Sequence, residues 1–126
     1  MENGKLRIMK ENVIAEKSFN FAVRIVKLYK YLCNNKKEYV LSKQLLRSGT
    51  SIGANVSEAL QGQSKRDFLM KMNISLKEAS ETKYWLRLLK ATDYLSEKEQ
   101  RSIYGDCVEL EKLLTSIVRT TSERTK

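Results

Sequence analysis

Lys17, Asn20, Arg24, Lys27 and Tyr31 follow one another at intervals of three, four, three and four residues, which stacks cations, an amide and an aromatic ring along one helix edge. Phosphate oxygens would suit that edge. Arg66, Asn73, Lys77, Tyr84 and Arg87 repeat the chemistry as a looser row further along. Lys65 and Arg66 fall where a helix is expected to begin, an end whose dipole disfavours cations, so they point to a local anion requirement. Arg47 joins them by residue type and inferred face, and Lys36 and Lys37 add charge in a turn. The candidate nucleic-acid contacts are therefore Lys17, Arg24, Lys27, Arg47, Lys65, Arg66, Lys77 and Arg87. These side chains suit phosphate neutralisation and positioning; no zinc finger, RNA-recognition signature or helix-turn-helix reader accompanies them, so sequence preference is not expected. Ordinary solvated helix surface is the competing reading of each row taken singly.

Acid–base catalysis has little to work with. Histidine is absent, which removes the commonest general base near neutral pH. Asn55 and Glu58 stand three apart on one helix face, but such a pair more often caps or bridges than catalyses. Asp106 and Glu109 share a face while Glu111 points away, which suggests a solvated acidic surface rather than a cation site. Cys33 and Cys107 lack the partners for zinc, and with no secretory signal the expectation is two reduced thiols. The expectation is a protein that is not an enzyme, with no metal and no cofactor.

The charge balance agrees with an anionic partner. Lys and Arg outnumber Asp and Glu by 24 to 15, a net +9, and the isoelectric point is about 9.6. Residues 1–33 carry seven cations against three carboxylates, whereas residues 94–126 balance at six each, so the excess belongs to the front and middle of the chain. A basic surface serving solubility alone is the alternative. With 126 residues, 41% apolar and 31% charged, one ordinary domain is expected. No run approaches the roughly 18–20 apolar residues of a membrane span, and residues 1–11 lack the apolar core of a secretory signal, so no membrane partner and a cytoplasmic location are expected.

Four helices position these groups. Proline is absent and the breaks between periodic runs are short, which favours antiparallel neighbours: an all-α, antiparallel up-down four-helix bundle. The first helix is expected from about Val13 to Cys33, with Asn12 and Ser18 as possible N-caps and a core stripe of Ile14, Phe21, Ile25, Leu28 and Leu32. The second spans Leu41 to Leu60, ending at Gly62 in a left-handed conformation. Ser64 caps a third that reaches about Thr92, its core stripe running from Phe68 through Met72 and Ala79 to Leu89. A Ser96–Glu99 capping box opens the fourth, which buries Ile103, Cys107, Leu110, Leu114 and Ile117. The divisions are a basic N-terminal arm at 1–12, the bundle at 13–118 and a polar, fraying tail at 119–126.

Two features need further explanation. The second helix carries Ser48, Gly49, Ser51, Gly53 and Ala54 in its middle, although each interior Gly costs about 0.5–1 kcal/mol relative to Ala. Another backbone is expected against Gly49 and Gly53. The first helix also bears a second apolar stripe of Ala15, Phe19, Ala22 and Val26, with Val23 beside it and Cys33 beyond. A monomeric bundle would leave it wet, so self-association through Ala15, Phe19, Ala22 and Val26 is expected. The alternative is that the arm, with Leu6, Ile8 and Met9, folds back over it.

The run RSGTSIGANVSEA, followed by Ser64 and Asp67-Phe68, closely resembles the four-helix-bundle proteins encoded in 23S ribosomal-RNA intervening sequences. The similarity extends from about Ser18 through the fourth helix and is densest from Gln44 to Phe68. That resemblance implies an up-down bundle, assembly into a homo-oligomeric ring and nucleic-acid binding. The family is related to accessory proteins of reverse transcriptases in diversity-generating retroelements, where a basic pentameric ring holds nucleic acid. The expected function is a non-enzymatic, homo-oligomeric protein, a pentamer by that resemblance, binding RNA or DNA. The alternative is an adaptor whose basic face meets an acidic protein partner such as a reverse transcriptase.

Overall fold

The computed structural model describes residues 4–123 as four helices: α1 Gly4–Asn34, α2 Leu41–Leu60, α3 Lys65–Ala91 and α4 Glu97–Glu123. Each helix packs against its sequence neighbours, and α1 closes the ring against α4. Contacts between helices fix the directions. Cys33 meets Ser42 while Gly53 meets Ser18, so α1 and α2 are antiparallel; Thr82 meets Ser48 while Lys71 meets Glu58, so α2 and α3 are too. Lys90–Glu97 and Lys83–Glu111 give the same sense for α3 and α4, and Tyr31–Glu99 and Lys17–Glu109 for α1 and α4.

The core follows the apolar period. Ile14, Phe21, Ile25, Leu32, Leu45, Ile52, Val56, Met72, Ala79, Leu86, Leu89, Ile103, Cys107, Leu110, Leu114 and Ile117 are buried. Leu28 and Phe68 are only partly buried, and Leu60 is exposed at the helix end. Leu95, in the last connection, joins the core because the chain must turn over the bundle's end.

The two interior glycines of α2 are accounted for by contact. A Cβ on Gly49 would stand 2.7 Å from Cγ1 of fully buried Ile25, and one on Gly53 would stand 3.1 Å from the Ser18 carbonyl oxygen. The two sites thus let α1 and α2 approach closely, which outweighs their helix-propensity cost. Small polar residues do similar work between α2 and α3: buried Ser75 donates to the Ile52 carbonyl at 2.9 Å, and Thr82 Oγ1 lies 3.0 Å from Ser48 Oγ.

Both ends of the expected bundle extend further. α1 begins at Gly4, nine residues before Val13, and Ser18 is a buried mid-helix residue bonded to the Ala15 carbonyl rather than a cap. Nothing between Lys5 and Asn34 breaks a helix, and Arg7 pairs with Glu11 one turn on at 3.8 Å. The proposed arm, within the described residues, is therefore a continuation of α1. Likewise α4 runs to Glu123, and Thr121 is buried, because the Leu114–Ile117 row continues for another turn. Residues 1–3 and 124–126 of the expected arm and tail lie outside the described residues.

The connections use chemistry only partly visible beforehand. Ser64 accepts from Asp67 N at 3.1 Å, and Ser96 and Glu99 exchange the two bonds of a capping box at 3.1 and 2.8 Å. Glu38 caps α2: its carboxylate accepts from the amides of Val40, Leu41 and Ser42 at 3.1, 2.8 and 2.7 Å. Burial alone would raise its pKa, yet those three amides hold it below the ordinary value. Gly62 is not left-handed; its lack of a side chain instead avoids a contact of 3.1 Å with the Ala59 carbonyl oxygen. Positive φ falls on Lys37 and Asp93. Asp93 N donates to Lys90 O and Tyr94 N to Leu89 O, a Schellman ending built without glycine.

Candidate functional site

The α1 edge is a seam between helices. Lys17 Nζ lies 2.7 Å from Glu109 Oε1 on α4, Arg24 reaches Asp106 and Ser102, and Tyr31 donates to Glu99 at 2.6 Å. The Glu109 hydrogen bond and charge raise the Lys17 pKa, and the bond to Glu99, with burial, raises that of Tyr31. Lys17, Arg24 and Tyr31 do share one edge of α1, but α4 brings its own carboxylates to it. Lys27 alone among the edge's three cations is exposed without an ion pair among the described residues.

The α3 row behaves differently. Arg66, Asn73, Lys77, Tyr84 and Arg87 are all exposed, and Arg66, Lys77 and Arg87 make no ion pair among the described residues. The first and last lie 21 positions apart, about 31 Å along the helix. Asn73 spends one amide hydrogen on the Leu69 carbonyl at 2.9 Å. Exposed Arg47 on α2 approaches the row: it and Lys77 both act on Glu78, whose pKa burial and a hydrogen bond with Glu81 nevertheless raise. Lys65 is half-buried at the row's beginning, in a groove shared with Arg7, Ile8 and Glu11 of α1.

At its far end the row enters a groove of about 550 Å³ between the end of α3 and the start of α4. Tyr84 and Arg87 line it with Lys90, Gln100 and Tyr104. Gln100 and Tyr104 were not distinguished in the sequence. Their four-residue spacing is the only local sign, and it becomes informative only once α3 is placed opposite.

The second α1 stripe faces a separate groove of about 480 Å³, where Ala15, Phe19 and Ala22 meet Thr50, Gly53, Ala54 and Leu60 of α2. Among the described residues, no ionisable side chain lines it. Phe19 is 68% exposed, and Val26 lies partly buried further along α1. Leu6, Ile8 and Met9 remain exposed on the helical extension, so they do not fold back over the stripe.

Candidate catalytic groups are dispersed into structural contacts. Asn55 bonds the Ser51 carbonyl at 2.8 Å, while Glu58 pairs with Lys71 at 2.8 Å. Asp106 and Glu109 hold Arg24 and Lys17, and Glu111 holds Lys83 at 2.7 Å. Among the described residues no cluster of three His, Cys, Asp or Glu could hold a metal ion. Both cysteines are free thiols; Cys107 is buried and its pKa is pushed up to about 12 by desolvation, with the Glu111 charge adding. Among the described residues, no helix is long and apolar enough to cross a membrane.

Comparison with known proteins supplies the lineage. No curated protein matches the chain significantly. A crystal structure from Bacteroides thetaiotaomicron, described as a protein of unknown function from the S23 ribosomal protein family, is 58% identical. It superposes with a TM-score of 0.86, covering 87% of this chain and 98% of its own. The family model for the 23S rRNA-intervening sequence protein matches residues 10–116, spanning most of α1, all of α2 and α3, and α4 as far as Ser116. The chain therefore belongs to the 23S rRNA-intervening sequence protein family.

Proposed function

We propose that this chain is a non-enzymatic, homo-oligomeric nucleic-acid-binding protein that acts in the cytoplasm. Its α3 row meets phosphates and its uncharged α1–α2 groove joins subunits. The observation that carries the proposal is a contrast between two cationic surfaces. Lys17 and Arg24 are matched with α4 carboxylates, whereas Arg66, Lys77 and Arg87 face solvent without an ion pair among the described residues. Lys27, Arg47 and Lys65 border or extend the field. Exposed Phe19 beside a groove without charges supports burial against a second copy, since a wet apolar surface of this kind favours association. The family resemblance suggests a pentameric ring; five copies at +9 would carry +45, a charge that a polyanion neutralises.

A salt titration with unrelated RNA and DNA tests the reading. Three phosphate contacts on duplex DNA would give a log–log slope of about −2.7, and reversing Arg66, Lys77 and Arg87 together should abolish most of it. Absence of affinity at about 50 mM salt would favour an adaptor for an acidic protein instead, because phosphate contacts strengthen at low salt.

A further inference from the structure

We infer that the groove between the end of α3 and the start of α4 is a pocket for an unpaired nucleobase and its phosphate. This deepens the proposed function and rests on it. The groove's volume of about 550 Å³ falls within the roughly 300–1,000 Å³ typical of small-ligand sites. Tyr84 and Tyr104 line it from opposite helices. Tyr84 is 54% exposed, and its ring meets that of neighbouring Trp85 edge to face with centroids 5.1 Å apart. An exposed tyrosine in such a contact is a ready stacking platform for a base.

Gln100 makes the chemistry more specific. It is only 7% exposed, lines the groove, and its side-chain amide has no hydrogen-bond partner among the described residues. An amide both donates and accepts, which matches the paired donor and acceptor edge that a base presents when it is not paired with another. A bare anion would leave that amide half-used and the rings unoccupied. Arg87 and Lys90 complete the site with positive charge; Arg87 has no ion pair among the described residues, and Lys90 has only a long one, 3.6 Å to Glu97. The groove lies at the end of the α3 row, so a strand following the row would bring its backbone to these cations and one base to the tyrosines. A duplex keeps its bases stacked inside and cannot enter.

The test uses the full-length protein with labelled ribo- and deoxyribo-oligoadenylates of about ten nucleotides, within the site sizes usual for single-strand binders. An abasic chain of equal length and a duplex serve as the other probes, all read by fluorescence anisotropy. For at least one sugar, the base-bearing strand should bind roughly tenfold or more tightly than the abasic chain, the effect of one stacked base. Tyr84→Ala should erase that advantage, and Tyr84→Phe should keep it. Gln100→Leu, checked for native helix content, should reduce the same advantage. Equal binding of base-bearing and abasic chains of both sugars would overturn the pocket while leaving phosphate binding intact. So would an unchanged advantage in Tyr84→Ala. Failure of every probe at about 50 mM salt would instead overturn the proposed function, and the pocket with it.

Discussion

Arg24 of α1 reaches the Asp106 carboxylate of α4 and also bonds the Ser102 hydroxyl, so its guanidinium clasps two helices together. A side chain that looks suited to a ligand in a one-dimensional pattern is here satisfied by its own fold. The pair is partly exposed, which limits its worth to the modest range of surface ion pairs.

Arg24→Ala should therefore lower stability by about 0.2–1 kcal/mol and leave nucleic-acid affinity within twofold. Lys77→Ala should do the reverse, leaving the melting curve unchanged while lowering the salt slope by about one. Denaturant melts and salt titrations of the two variants check both statements. An Arg24→Ala protein that loses affinity as Lys77→Ala does would return the α1 edge to the interface.

Phe19→Asp should reduce the solution mass to that of a single chain, 14.6 kDa, while retaining most helix content. The change replaces the side chain of a residue that is 68% exposed and outside the core with a charge. Light scattering with circular dichroism reads both properties. An unchanged mass would remove this groove as the subunit contact.

Glu38 links stability to acid. Its folded pKa is depressed below the ordinary value near 4.5, so the stability it contributes is present above the unfolded value and is lost as pH falls through the folded one. Glu38→Ala should cost about 1–2 kcal/mol at pH 7, as expected for loss of a helix cap. The penalty should shrink toward zero in strong acid. Urea melts from neutral pH downward measure it, and a penalty independent of pH would contradict the cap.

Gly49→Ala should destabilise the bundle by about 1–3 kcal/mol through overpacking, although the gain in helix propensity of about 1 kcal/mol offsets part of it. The new methyl would meet three Ile25 side-chain atoms at 2.7–2.9 Å. In an Ile25→Ala background the same change should become neutral or stabilising. A double-mutant cycle reads the coupling, and additive effects would show that Ile25 is not the obstruction.

The bundle was legible because its information is local and repeated. Apolar residues at three- and four-residue intervals specify helices, Ser64 and Ser96 mark two starts, and the small residues around Gly49 and Gly53 announce a close neighbour without naming Ile25 or Ser18. Boundaries were less legible at the termini. Polar residues in 4–12 and 119–123 do not forbid a helix, and whether they continue one depends on the helix beside them. Glu38 resembled any other charged loop residue until the α2 amides converged on it.

Charge is where one dimension and three dimensions part. Composition determined the excess of cations, and spacing determined which of them share a helix face. Packing alone decided that α4 would present Glu109 and Asp106 to Lys17 and Arg24 while leaving the α3 row open. The physical reason is that helical period orders side chains around one axis, whereas electrostatic neutralisation depends on separation, and residues 92 positions apart come within 2.7 Å only after the bundle closes.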